Sequence, residues 1–194
     1  VIPVVKGKTE IPADRGRRVG GYTMEVLFTR QVIQERVRDL GARISRDYQG
    51  CEPIIVGILK GAVFFFADLV RNITIPVKID FIRARSYGSS MESCGKVDIT
   101  KDIEIPVQSR AVILVEDIVD SGLTVEALVE HVMKKGASSC SICALIDKKE
   151  RRLCDVTIQY TGFSVETGFL VGYGLDYNER YRYLRDICIL NSGE

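Results

Sequence analysis

The stretch Val112-Ile113-Leu114-Val115-Glu116-Asp117-Ile118-Val119-Asp120-Ser121-Gly122-Leu123-Thr124 decides the reading of this chain. Its first four residues are apolar, the pattern of a strand buried on both faces of a parallel sheet. Three carboxylates follow, then Ser-Gly-Leu-Thr. Val125, Leu128, Val129 and Val132 recur at helical spacing, so a helix starts near Gly122. Strand, acidic turn and helix make half of a βαβ unit. In open α/β sheets ligands bind beyond the carboxyl ends of the strands, where this turn lies.

Residue types give the turn its chemistry. Glu116 and Asp117 are adjacent like charges, suited to sugar hydroxyls or a cation. Asp120 to Thr124 brings backbone N–H groups at a helix N-terminus, two hydroxyls and a glycine that admits a ligand closely, which suits a phosphate dianion. Acid and anion sites side by side indicate a sugar phosphate with a divalent metal nearby. The turn is not a Walker loop, because no lysine follows the glycine and the spacing differs. The competing reading is an ordinary solvated βα turn.

Val-Glu-Asp-Ile-Val-Asp-Ser-Gly-Leu-Thr resembles the phosphoribosyl pyrophosphate (PRPP) motif of the type I phosphoribosyltransferases. Its companions narrow the resemblance to the hypoxanthine-guanine branch: Leu59-Lys60-Gly61, Asp80-Phe81-Ile82 with Ser86-Tyr87-Gly88, Lys148, and Val171-Gly172-Tyr173-Gly174-Leu175-Asp176-Tyr177-Asn178-Glu179. They stand in the family's order and span about residues 25 to 190.

The rest of the chain frames this motif. At 194 residues it reads as one domain over 1–194 with a substantial core. Hydrophobic residues make up 46% and charged residues 27%, a globular mixture. The 27 basic and 26 acidic side chains nearly cancel, so the totals carry no footprint for nucleic acid or an anionic membrane. No stretch reaches the length of a membrane span, and Val1 to Arg18 lacks a signal-peptide layout; a cytoplasmic location is expected. Cys51, Cys94, Cys140, Cys143, Cys154 and Cys188 are scattered. Cys140-Ser-Ile-Cys143 falls in an expected strand, where residues three apart face opposite ways, so reduced structural thiols are expected rather than a metal site. The only histidine, His131, falls off the apolar face of its helix and is expected to be exposed, which removes histidine-dependent triads and two-histidine metal sites.

Val1 to Gly21 reads as a polar arm whose Arg15, Arg17 and Arg18 form a solvated face. Thr29 caps a helix with apolar positions Ile33, Val37, Leu40 and Ile44, ended by Gln49-Gly50. Strands are expected at 54–59 and 77–83, with a helix over 62–73 whose Phe64, Phe65 and Phe66 form core and wall rather than a base-stacking platform. Residues 86–95 form a long small-residue loop, and 97–105 is expected to pair on itself as a hairpin. Further strands are expected at 141–146, 156–160, 169–173 and 187–190. Alternating strands and helices imply an α/β fold, a mostly parallel twisted sheet wrapped on both faces. The resemblance adds a small hood built from the N-terminal segment and the C-terminal strands.

The resemblance also implies roles. Glu116 and Asp117 hold the ribose hydroxyls, directly and through Mg2+. Asp120, Ser121, Gly122, Leu123 and Thr124 cradle the 5′-phosphate, with Asp120 the candidate base for the purine ring proton. Leu59-Lys60-Gly61 binds pyrophosphate through a cis peptide at the lysine, an isomer rare outside proline. Lys148 donates to the exocyclic oxygen of the purine. Asp176 serves a second magnesium ion beside the base, and Arg182 lies near pyrophosphate. Phe169, or Tyr173, stacks on the base with Leu170 beside it. Gly174 stands where other members can carry alanine, a small change. Ser86-Tyr87 opens the loop that acts as lid. Without the companion motifs Lys60 reads as a solvated lysine, Lys148 as part of a basic loop with Lys149, Arg151 and Arg152, and Phe169 as core.

The activity implied is conversion of hypoxanthine or guanine and PRPP to IMP or GMP and pyrophosphate, in a homo-oligomer (dimer or tetramer) without nucleic-acid or membrane partners. Alternatives are a xanthine-preferring or pyrimidine phosphoribosyltransferase, or a nucleotide-binding regulator on the same fold.

Overall fold

In the computed structural model, residues 17–19, 22–86 and 97–192 are described. In chain order the elements are β1 (Arg17–Val19), β2 (Tyr22–Phe28), α1 (Arg30–Asp47), β3 (Ile54–Leu59), α2 (Val63–Arg71), β4 (Lys78–Ser86), β5 (Val97–Lys101), β6 (Ala111–Val119), α3 (Leu123–Lys134), β7 (Ser139–Lys148), β8 (Tyr160–Val165), β9 (Leu170–Val171) and β10 (Ile187–Ser192).

Six strands form the main sheet in the order β5-β4-β3-β6-β7-β8. All neighbours are parallel except β4 and β5. Alternation along the strands builds a core on each face. Ile55, Ile113, Val115, Cys143 and Leu145 pack against Ile33, Val37, Leu40 and Ile44 of α1 and Phe65, Phe66 and Leu69 of α2. Ile54, Val56, Val112 and Leu114 point the other way, onto Leu128 and Val132 of α3. Each fully buried side chain of this size contributes roughly 1.5–3 kcal/mol. Helices cover both faces, as the continuous apolar runs require. Thr29 caps α1 by accepting from the Val32 N–H. The second sheet, β1-β2-β10-β9, is antiparallel and joins the two ends of the chain as the expected hood.

Several expected boundaries move, each for a local reason. β6 runs on to Val119, because Glu116, Ile118 and Val119 remain in register with Ala144, Ile146 and Asp147 of β7; Glu116 and Asp117 therefore lie on the strand, not in the turn. Residues 97–105 do not pair on themselves: β5 pairs with β4, and the strand stops at Lys101 where the Asp80 carboxylate takes the N–H groups of Glu104 and Ile105. Residues 156–159 are not strand, since the Gln159 side chain accepts the Ile142 N–H ahead of β8. Only Leu170–Val171 of 169–173 is strand, because Gly172, Tyr173 and Gly174 all adopt positive φ. Arg17 and Arg18, expected in a polar arm, lie in β1. Phe64 is exposed rather than core. His131 is only part-exposed, with Nε2 2.9 Å from Asp102 Oδ1. Cys140 and Cys143 face opposite sides of β7, and five free thiols stand among the described residues. No described helix is long and apolar enough to cross a membrane.

Candidate active site

Beyond the carboxyl ends of β6 and β7, under the hood, lies a cleft of about 410 Å³. β6 and its turn supply Asp117, Ile118 and Asp120. The end of β7 supplies Lys148, Glu150 and Arg151, and the hood supplies Gly168, Phe169, Leu170, Leu175 and Asp176. Its size suits one small ligand.

Glu116 and Asp117 stand at the end of β6 with little to neutralise them. Glu116 Oε2 is buried and without a hydrogen bond among the described residues. Burial, and then the neighbouring Asp117 carboxylate, pushes Glu116 well above the usual range. Burial also raises Asp117, partly offset by hydrogen bonding with the Glu116 carboxyl, then by backbone N–H groups and Arg182. Two crowded carboxylates with an unsatisfied oxygen form a hard-oxygen donor set, which fits Mg2+. Among the described residues no group of three or more His, Cys, Asp and Glu has metal-binding geometry.

The turn that follows is held from behind. Arg152 donates from Nε to the Asp120 carbonyl and from Nη2 to that of Val119, and it pairs with Asp147; the Leu153 N–H donates to the Ser121 carbonyl. With these carbonyls engaged on one side, the N–H groups of 121–124 take no partner among the described residues. Gly122 has φ +88, and a Cβ there would lie 2.7 Å from Cys154 Sγ. The αL turn leading into the N-terminus of α3, where Leu123 and Thr124 lie, has the backbone geometry that suits an anion.

Lys148 is the last residue of β7 and almost fully buried. Its Nζ lies 2.9 Å from Glu150 Oε2 and 3.9 Å from Asp120 Oδ2. Asp120 Oδ1 is buried and takes no hydrogen bond among the described residues. The basic-loop reading of Lys148 is therefore wrong: it is a buried ammonium facing a cleft.

On the other flank the Leu59–Lys60 peptide is cis, as the resemblance implies. Gly61 lies against the acid pair, where a Cβ would fall 1.9 Å from Asp117 Oδ2. Gly174 lies against Gly61 in turn. With φ +106, and with a Cβ that would be 1.9 Å from the Gly61 carbonyl oxygen, it has no room for alanine, so that substitution is not a small change in this chain. Arg182 pairs with Asp176 Oδ1 at 2.7 Å and donates to the Gly174 carbonyl. Asp176 Oδ2 accepts the Glu179 N–H, and Glu179 pairs with Lys60 at 2.7 Å. Both Asp176 oxygens are thus engaged, and the Lys60 side chain turns outward.

Phe169 is half-exposed at the mouth of the cleft, its ring edge-on to Tyr177 at 5.4 Å. Tyr173, the alternative aromatic, is buried and donates to Asp68, and so is withdrawn from the cleft. Leu170 and Leu175 supply the apolar wall. Ser86 ends β4, while Tyr87 and the rest of the loop through Gly95 lie outside the described residues. Sequence reading missed Ile118, Glu150, Leu175 and the backing role of Arg152. Strand alternation would set Ile118 on the face opposite Asp117, so no local pattern signalled it, and the others depend on how loops fold back.

A parallel sheet with a βα anion nest, an acid pair and a hooded cleft defines a protein that handles a phosphorylated sugar. The family model of the phosphoribosyl transferase domain matches residues 25–178. The hypoxanthine-guanine phosphoribosyltransferase of Bacillus subtilis (strain 168) is 43% identical over 86% of this chain and 92% of its own. A crystal structure of a hypoxanthine phosphoribosyltransferase from Staphylococcus aureus superposes with a TM-score of 0.83 at 40% identity, covering 86% of this chain and 91% of that one. A hypoxanthine-guanine phosphoribosyltransferase from Bacillus anthracis, solved with a HEPES molecule in the active site, gives 0.82 at 43% identity, covering 85% and 97%. The chain belongs to the hypoxanthine-guanine phosphoribosyltransferase family.

Proposed function

We propose that this protein is a purine-salvage transferase that joins hypoxanthine or guanine to the ribose 5-phosphate unit of PRPP, giving IMP or GMP and pyrophosphate. The observation that carries the reading is Lys148 and Asp120 facing each other at 3.9 Å in one cleft beside the anion nest. The names of the relatives favour it over a xanthine, pyrimidine or regulatory role.

In this reading the N–H groups of Ser121 to Thr124 bind the 5′-phosphate, and Glu116 and Asp117 orient the ribose. The bond from the anomeric carbon to pyrophosphate breaks as the bond to the purine nitrogen forms. Asp120 takes the ring proton at its unbonded Oδ1. Lys148 donates to the 6-oxygen, Phe169 stacks on the base and Leu170 walls it. Gly61 and Arg182 line the leaving-group side, and the hood excludes water. Mg2+ held by Glu116 and Asp117 would supply positive charge to offset that of the leaving pyrophosphate. A second ion at Asp176 would compete with Arg182 and the Glu179 N–H. A core cluster shared by α1, β7 and the hood residues Leu170 and Ile187 supports one domain over 1–194. Exposed Val63, Phe64 and Tyr183 around one groove support a homo-oligomer, and free thiols support a reducing, cytoplasmic setting.

Initial rates with PRPP, Mg2+ and a panel of hypoxanthine, guanine, xanthine, adenine and uracil test the proposal. Conversion of hypoxanthine or guanine is expected to dominate. Conversion of neither overturns it.

A further inference from the structure

The Lys148 ammonium does not meet the cleft alone. Glu150 Oε2 lies 2.9 Å from its Nζ, closer than Asp120, and the Glu150 side chain is itself part of the cleft wall. Hydrogen bonding to Lys148, together with Arg151 and the Gly168 N–H, outweighs burial and holds Glu150 below the usual carboxylate range, so it is ionised at neutral pH.

Among the described residues, the charges that line the cleft are the carboxylates Asp117, Asp120, Glu150 and Asp176 and the cations Lys148 and Arg151. Asp176 is balanced by Arg182, and Asp117 lies against the Gly61 turn. At the base end this leaves Lys148 and Arg151 facing Glu150 and Asp120. That end offers strong donors without an excess of positive charge. A neutral 6-oxopurine takes a hydrogen bond from Lys148 and meets no repulsion. A base that has lost a ring proton meets Glu150 across the same ammonium. Like-charge juxtaposition of this kind excludes ligands more than it strengthens the right one.

The geometry points to Glu150 as a specificity-determining residue, a fixed negative charge that selects neutral 6-oxopurines against xanthine, which ionises near neutral pH. The inference rests on the proposed function and deepens it. Glu150 acts through Lys148 and through the field of the cleft, and it has no part in the proton transfer assigned to Asp120.

The experiment compares kcat/KM for hypoxanthine, guanine and xanthine in wild-type protein, Glu150→Gln, Glu150→Ala and Glu150→Asp, at pH values from below to above the ionisation of free xanthine. Both neutral variants are expected to raise the xanthine-to-hypoxanthine ratio roughly tenfold and to flatten its fall with rising pH. Glu150→Asp keeps the charge and is expected to retain the wild-type ratio and slope. A merely structural role would not separate Asp from Gln on the pH slope. Neutral variants that fold and keep the wild-type ratio and slope overturn the inference while leaving the proposed function standing. Wild-type protein inactive on hypoxanthine and guanine alike overturns both.

Discussion

Arg152 Nε donates to the main-chain carbonyl of Asp120 at 2.9 Å, across 32 positions of sequence. The same guanidinium reaches the carbonyls of Val119 and Lys148 and the carboxylate of Asp147. One side chain thus joins the end of β6 to the end of β7, and so fixes the distance between Asp120 and Lys148. A planar fork with five donors suits three carbonyls and a carboxylate; an ammonium does not.

Arg152→Ala is therefore expected to lower kcat/KM roughly 10–100-fold, because displacement of a reacting group by an ångström carries that penalty. Arg152→Lys is expected to recover little of it. Steady-state kinetics on both variants, with circular dichroism to confirm folding, check this. Full rescue by lysine would reduce the contact to simple charge.

Gly174 presses on the Gly61 carbonyl, whereas Gly50, also at positive φ, has nothing among the described residues within 4 Å of where a methyl group would stand. The pair separates backbone strain from collision. Gly50→Ala is expected to cost about 1 kcal/mol, the penalty of the left-handed region alone. Gly174→Ala adds the clash, for roughly 3 kcal/mol in all, and is expected to raise KM for PRPP by moving the Leu59–Gly61 turn. Denaturant unfolding and kinetics measure both; equal losses would place the collision elsewhere.

Asp102 ties the end of β5 to α3 through Lys135 at 2.7 Å and His131 at 2.9 Å. Burial raises its carboxyl, but hydrogen bonds from Lys135, His131 and the Ile103 N–H prevail and hold it at about 2. A depressed folded pKa stabilises above the ordinary carboxylate value of about 3.9, and the contribution disappears as pH falls toward about 2. Because Asp102 is part-exposed, screening limits it to about 1 kcal/mol or less. Asp102→Asn is expected to lower Tm at neutral pH and to flatten the decline of Tm between those two pH values. Parallel Tm curves over that range would remove Asp102 from the acid transition.

The fold was legible where side-chain period and burial coincide: Val112 to Val115 and the α3 stripe placed the central unit within a few residues. The Asp120–Thr124 turn was legible because a glycine and hydroxyl residues at a helix start restrict residue type, whereas Leu59–Gly61 and Gly172–Glu179 were legible only through the family resemblance. What escaped was decided by long-range partners. Asp80 ends β5 by capturing two N–H groups from 24 and 25 residues away. Glu150 reads as one acid in a basic loop until the chain folds it against Lys148. Neither fact has a local period or spacing to betray it.

In the proposed function Lys148 selects the base by donor count. An ammonium has three donors and no acceptor, so it meets an oxygen at purine position six but not an amino group. Adenine leaves a buried cation facing donor hydrogens, and losing a charged hydrogen bond costs on the order of 1.5–3 kcal/mol. Hypoxanthine and guanine are expected to exceed adenine by well over tenfold in kcat/KM. Lys148→Met is expected to harm both oxopurines and shrink the margin. Kinetics of the two proteins on three bases decide it, and an unchanged margin would move discrimination to another group.

Asp120 offers the sharpest test of the chemistry, because its two oxygens are in different circumstances. Oδ2 faces Lys148 at 3.9 Å, while Oδ1 is buried with no partner among the described residues. An unsatisfied carboxylate oxygen in a cleft is costly to the fold, and in the proposed function it is the atom that receives the ring proton. Asparagine keeps the size and one acceptor but is not a base. Asp120→Asn is expected to lower the rate of nucleotide formation roughly 10²–10⁴-fold, the usual contribution of a positioned base. Binding of PRPP is expected to persist, since the N–H nest is main chain. Rapid-quench turnover with hypoxanthine gives the first quantity and calorimetry with PRPP and Mg2+ the second. Loss of rate together with loss of PRPP binding would make Asp120 part of the phosphate turn only, and a near wild-type rate would assign the proton to another acceptor.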